Sequence, residues 1–247
     1  MAAFERGLEA GADGLELDVH LSSDGVPVVC HDPTLDRTTN ASGRIDRRTA
    51  AELSRIDAGF RWADEAGNTP FRDRGVGVPT LREVLSRFTD VPIIIEMKVD
   101  RREMGRAVAA EVLAASAVDR VCAASEGVHA VTAAREALPA MATSASRWDV
   151  RLALYRSWAH WPVRGGRYGG YQVPETAGLI RVVSPAFIRH AHSAGLEVQV
   201  WTVDDEGDME RLLAWNVDAL ITNRPDLAVS VRDRFMSVRQ SAGFARR

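Results

Sequence analysis

Short apolar runs alternate with helix-patterned segments along almost the whole of this 247-residue chain, and that alternation restricts the fold more than any single motif. Principal strand runs begin near residues 15, 92, 121, 140, 170, 196 and 219, each followed by a helical pattern or an insertion. Strands joined through helices run parallel, which leaves a closed (β/α)8 barrel or a doubly wound open sheet. A dinucleotide-binding sheet would carry G-x-G-x-x-G after its first strand, and the sequence has no such loop. Polar residues at the C-terminal ends of several runs (Glu16 and Asp18, Glu96 and Lys98, Trp201) fit a barrel with its chemistry at the mouth. The expected fold is an α/β, TIM-type (β/α)8 barrel in one domain over 1–247, with a long loop or insertion at about 57–79. Seven runs are one short of eight, and Met1–Ala10 has helical spacing with no cap before it. The sequence is therefore expected to begin inside a helix, after the barrel's first strand.

The local signals are specific. Leu15, Leu17 and Val19 alternate with Glu16, Asp18 and His20 as in a strand, and Val26–Cys30 follows the turn Ser23-Asp24-Gly25 as a second. Thr49 with Glu52, and Thr80 with Glu83, are capping boxes that open helices. Val91–Val99 reads as a strand buried on both faces, with further strands at Val121–Ser125, Ala140–Ser144, Gly170–Val173, Leu196–Val203 and Ala219–Thr222. Helices are expected over Glu103–Ala115, Val128–Ala137, Arg147–Ala159, Glu206–Trp215 and Pro225–Met236, with another opened by Ser184-Pro185.

Composition excludes several functions. A net charge of −3 without a clustered basic face argues against nucleic acid as a partner. The longest apolar runs are about five or six residues, against the ~20 of a membrane span. Cys30 and Cys122 lie inside apolar runs, so no disulfide framework is expected. Glu5, Arg6 and Glu9 interrupt any signal-peptide core, and the expected location is the cytoplasm.

Four charged residues carry the chemical argument. Glu16 and Asp18, two apart in a strand, point to one side, and Glu96 and Lys98 repeat the arrangement where an apolar strand ends. Uncompensated carboxylates facing inward are costly. Three converging carboxylates without a thiol suit a hard divalent cation, Mg²⁺ or Ca²⁺, rather than zinc, and a salt-bridged network between strands is the alternative. Lys98 is the only lysine among 31 basic residues. His31 ends the second strand beside the carboxylates, where imidazole is poised for general acid/base work; His20 shares a face with Asp18 at the rim. His129, His160, His190 and His192 read as surface or packing residues.

The strings Gly11-Ala12-Asp13-Gly14-Leu15-Glu16-Leu17-Asp18-Val19, Asp24-Gly25-Val26-Pro27-Val28-Val29, His31-Asp32 and Leu35-Asp36-Arg37-Thr38-Thr39 closely resemble the glycerophosphodiester phosphodiesterase family. So do Ile95-Glu96-Met97-Lys98, Val200-Trp201-Thr202-Val203 and Thr222-Asn223-Arg224-Pro225-Asp226. The resemblance covers essentially the whole chain. It implies a metal-dependent (β/α)8 barrel that hydrolyses a small-molecule glycerophosphodiester to an alcohol and glycerol 3-phosphate. It also implies Glu16, Asp18 and Glu96 as metal ligands, His31 as one of two catalytic histidines, Lys98 as the phosphate contact and Trp201 as an aromatic wall of the pocket. The family's first strand ends in His-Arg-Gly and is followed by Pro-Glu-Asn, and neither motif occurs here. Two alternatives therefore stay open: a phosphodiester- or metal-binding barrel without turnover, and a phospholipase D-type lipid phosphodiesterase.

Overall fold

In the computed structural model, residues 1–64, 66–162 and 166–241 are described. In chain order they form α1 (Ala2–Glu9), β1 (Leu15–Leu21), β2 (Pro27–Val29), α2 (Ala50–Leu53), α3 (Leu81–Arg87), β3 (Ile93–Met97), α4 (Arg102–Ala114), β4 (Val121–Ala124), α5 (Val128–Ala137) and β5 (Ala142–Thr143). The order continues with α6 (Arg147–Trp158), β6 (Gly170–Pro174), β7 (Thr176–Ala177), β8 (Ile180–Arg181), α7 (Pro185–His192), β9 (Glu197–Trp201), α8 (Glu206–Ala214), β10 (Ala219–Leu220) and α9 (Pro225–Ser241). All seven principal strand runs form strands. By contact density the chain divides into one unit over Glu16–Ala142 and a second made of Ala2–Leu15 and the residues from Thr143 onward.

The first unit is built on a sheet of order β2-β1-β3-β4-β5. β1 and β2 are an antiparallel hairpin with Val19 opposite Val29, and β3 and β4 run parallel with Glu96 opposite Ala124. Both capping boxes form: Thr49 and Thr80 accept from the backbone N–H of Glu52 and Glu83, whose carboxylates return to the cap residues. Leu17, Val19, Ile93, Ile95 and Met97 are buried, so the apolar alternation in β1 and β3 faces the core. Helices α4 and α5 cross so closely at Gly105 that a Cβ there would lie 2.1 Å from the Ala130 carbonyl oxygen, a distance only glycine permits.

The 57–79 segment contains no helix or strand among its described residues, yet it is organised. The buried Asp57 accepts from the backbone N–H of Gly59 at 2.9 Å and of Asp73 at 2.7 Å, and Trp62 packs edge-on against Phe71. Beneath β2, Val28, Leu35, Ile45, Leu53 and Val78 form a separate apolar cluster, with Cys30 packed against it.

The second unit contains the sheet β10-β9-β6, whose neighbours are parallel. Its core joins Tyr171, Val173, Phe187, Ile188, Val198, Val200, Met209 and Leu212. Helix α6 is opened by a third capping box, Ser146 with Asp149, in which Asp replaces the usual Glu or Gln. The β7–β8 pair, turned at Gly178, has strands of two residues and no periodic signal in the sequence.

Candidate active site

Alternation in β1 buries Leu15, Leu17 and Val19 on one side and carries Glu16, Asp18 and His20 to the other. In β3 the same period buries Ile95 and Met97 and turns Glu96 toward the side shared with Glu16 and Asp18. The Lys98 backbone N–H donates to the Val19 carbonyl at 3.1 Å, which fixes the end of β3 beside β1. One carboxylate oxygen from each of Glu16, Asp18 and Glu96 lies within 4.8 Å of the others, the only such acid, His or Cys cluster among the described residues. Lys98 Nζ sits 3.0 Å from Asp18 Oδ1 and 3.7 Å from Glu96 Oε1. The sequence alternatives of a metal centre and a salt-bridged network thus share the same atoms.

The electrostatics favour a bound cation. Burial, reinforced by the Asp18 and Glu96 charges, pushes the Glu16 carboxyl up to about 7 despite Lys98 nearby. Burial also raises Glu96, with Lys98 opposing. Burial works against the Lys98 ammonium, but Asp18, Glu96 and Glu16 together outweigh it and hold its pKa above the ordinary lysine value. One ammonium therefore leaves this carboxylate cluster short of positive charge. A hard divalent ion would supply what is lacking, and Glu16, Asp18 and Glu96, all half-buried carboxylates, could hold it.

His31 lies two residues beyond β2, with its side chain 66% exposed. The register of the hairpin continues through the Cys30 N–H, which donates to the Asp18 carbonyl at 3.0 Å and ties the approach to His31 to the carboxylate strand. His31 Nδ1 and Asp32 Oδ1 are 2.7 Å apart, and Arg37 grips the same carboxylate through Nε at 2.6 Å and Nη2 at 2.9 Å. These contacts, that from Arg37 first, hold Asp32 far below the usual carboxylate range. Being ionised, Asp32 accepts from Nδ1–H, and Nε2 is the ring nitrogen it leaves unengaged by this contact.

The buried His20 donates from Nε2 to the His31 carbonyl at 3.1 Å, and its burial depresses its pKa. The sequence placed His20 only at the rim; its hydrogen bond makes it a backbone support for His31. Asp32 and Arg37 were in the family-like strings without an assigned task, and no sequence spacing announces their pairing. Trp201 ends β9 in the second unit, half-buried and followed by a cis peptide bond to Thr202. Beyond it, Asp204 accepts from Thr222 Oγ1 at 2.8 Å and from the Asn223 backbone N–H and Nδ2 at 2.8 and 3.0 Å, which clips the ends of β9 and β10 together. His192 pairs with Asp218 on the surface, in agreement with its reading as a surface or packing residue.

Comparison with known proteins places the chain in one family. Residues 1–227 match the glycerophosphoryl diester phosphodiesterase family model, and the chain belongs to that family. It is 28% identical to the glycerophosphodiester phosphodiesterase of Caldanaerobacter subterraneus over 94% of this chain and 90% of the relative. A crystal structure of glycerophosphodiester phosphodiesterase from Agrobacterium tumefaciens is 28% identical, with a TM-score of 0.73 over 94% of this chain and 91% of that one. The fold is also shared with an Oleispira antarctica phosphodiesterase solved with sn-glycerol-3-phosphate, at 23% identity and a TM-score of 0.75 over 94% and 89% of the two chains. The fold class is α/β of the (β/α)8 barrel type, the one of the two parallel-sheet folds that the missing Gly-rich loop and the polar strand ends favour in the sequence.

Proposed function

We propose that this protein hydrolyses glycerophosphodiesters to an alcohol and glycerol 3-phosphate, with a divalent cation, Mg²⁺ or Ca²⁺, held by Glu16, Asp18 and Glu96. Family membership and the glycerophosphodiesterase relatives support the reaction class. The observation that carries the site assignment is the convergence of three carboxylates within 4.8 Å beside the sole lysine of the chain. When bound, the cation neutralises charge on the phosphoryl oxygens and lowers the barrier to attack at phosphorus.

The chain's own residues do the rest. Lys98 shifts from its carboxylate partners to a phosphate oxygen as a compact point charge. His31, oriented through Nδ1 by Asp32, carries at Nε2 a proton to or from one of the two oxygens exchanged at phosphorus. Hydrolysis forms one P–O bond from the attacking oxygen and breaks the P–O bond to the alcohol, so a proton must leave the first oxygen and another must reach the second. His31 supplies one of these transfers. Trp201 is assigned to substrate contact through the aromatic face of its indole. Cys30 and Cys122 are not joined in a disulfide, which is in keeping with a reducing compartment and a cytoplasmic location.

Incubating the purified chain with glycerophosphocholine and Mg²⁺ or Ca²⁺ should release glycerol 3-phosphate, and a chelator should stop the release. Binding of the diester without any release would overturn the catalytic reading. Release insensitive to chelation would overturn the metal assignment.

A further inference from the structure

Helix α6 is apolar on two opposite faces. Ala153, Leu154 and Ser157 face the core of the second unit and are buried. Trp148, Leu152 and Tyr155, spaced i, i+4 and i+7, lie on the other side, with Trp148 71% and Tyr155 61% exposed. Trp158 extends the surface, its ring edge-on to Tyr155 at 5.6 Å, and Trp161 follows at 65% exposure. Contiguous aromatic surface of this kind marks a contact site rather than ordinary solvent-facing chain. The exposed Arg147 and Arg151 border it. The single acid of the helix, Asp149, has its carboxylate engaged by Ser146, through the backbone N–H at 2.9 Å and Oγ at 2.6 Å.

We propose that this face of α6 docks the protein on an anionic lipid bilayer. Tryptophan and tyrosine, with an apolar ring body and a polar N–H or O–H, favour the headgroup level of a membrane. Leu152 enters the acyl boundary between them, and the guanidinium groups of Arg147 and Arg151 meet lipid phosphates. A helix of 12 residues spans only about 18 Å, too short to cross, and no helix of the described residues is long and apolar enough to do so. The helix therefore lies in the plane of the interface. A second copy of this chain is a poorer occupant, because a two-fold contact sets the patch against itself and brings its arginine border onto like charge. The inference does not depend on turnover at the carboxylate site.

Co-sedimentation with vesicles of phosphatidylcholine alone, and of phosphatidylcholine mixed with phosphatidylglycerol, tests the proposal. The protein should partition onto the phosphatidylglycerol vesicles at low ionic strength with blue-shifted tryptophan emission, and release as salt is raised. Trp148→Ser/Leu152→Ser/Tyr155→Ser should weaken partitioning by about tenfold or more. Arg147→Glu/Arg151→Glu should weaken it by on the order of fivefold per arginine removed, on the anionic vesicles only. If the triple variant does not fold, quenching of the unaltered protein's tryptophan emission by brominated phosphatidylglycerol vesicles decides the matter. Three results overturn the proposal: no partitioning or quenching by the unaltered protein, equal partitioning by both variants, or a dimer in solution that the triple variant dissolves.

Discussion

His20 Nε2 donates to the backbone carbonyl of His31 at 3.1 Å, so one histidine side chain holds the main chain of another. Replacing His20 with alanine removes a partly buried donor and leaves that carbonyl to water. The expected result is a kcat lowered about tenfold with KM little changed, as for loss of an outer support of a reacting group. His20→Gln, which keeps an N–H donor, should recover part of it. Steady-state kinetics on the three proteins checks this, and an unchanged kcat in His20→Ala would return His20 to a packing role. The depressed folded-state pKa of His20 adds a sign. Its contribution to stability is present above 6.5, its value in the unfolded chain, and is lost as pH falls through the folded value.

His31→Ala should lower kcat by roughly 10²-fold while the thermal unfolding midpoint stays within a few degrees, because the side chain is mostly exposed. Asp32→Asn should give a smaller loss, about tenfold, since it keeps the bulk but removes the charged acceptor that orients Nδ1–H. A larger effect from Asp32→Asn than from His31→Ala would reverse these roles.

Lys98→Arg retains charge and should still be impaired. The ammonium reaches Asp18 and Glu96 from one point, whereas a planar guanidinium binds carboxylates in a two-pronged grip and would compete with the cation for both. A cation affinity weaker by about tenfold is expected, read by calorimetric titration. Unaltered affinity and turnover would make the lone lysine a compositional accident.

Cation binding should depend on pH through Glu16. Its carboxyl titrates at about 7 in the folded chain without the ion, against 4.5 ordinarily, so below neutrality the ion must displace a proton. Affinity should fall by up to about tenfold per pH unit below that value and level off above it. The rise in melting temperature on adding the ion should therefore be larger at pH 8 than at pH 6. Equal shifts at both values would contradict the assignment.

The same raised pKa makes a prediction without metal. A carboxyl whose folded value exceeds its unfolded one favours folding below pH 4.5 and loses that contribution as pH rises through about 7. Glu16→Gln should therefore unfold about 2–4 °C higher than the unaltered protein at pH 8 in chelator, and gain nothing from added cation. Differential scanning calorimetry with and without the ion gives both readings.

Much of this was legible in the sequence because it is local. Thr49 with Glu52 and Thr80 with Glu83 announce their helices within four positions, and Glu16 with Asp18 declares a common face by strand period alone. What stayed hidden depends on distant partners or on weaker residue types. Asp149 closes its capping box with a shorter side chain than the usual Glu or Gln, so Ser146 gave no conventional signal. Asp57 organises its long loop through the N–H of Asp73, sixteen positions away, a pairing no periodicity encodes. The hydrogen bond of His20 is invisible in the sequence because its partner is a backbone carbonyl, which every residue possesses.

The β1–β2 hairpin also acts as a ruler. Val19 opposite Val29, followed by the Cys30 N–H on the Asp18 carbonyl, measures the distance from the two carboxylates to His31 with a ladder that closes on itself through one tight turn. A single residue added at Ser23–Gly25 could shift that register and carry the imidazole to the wrong side of the strand. Residues inserted in the 57–79 loop leave the ladder's length untouched. Two components of the site are thus held by one short piece of chain, and changes in loop length or surface elsewhere can accumulate without resetting the spacing between them.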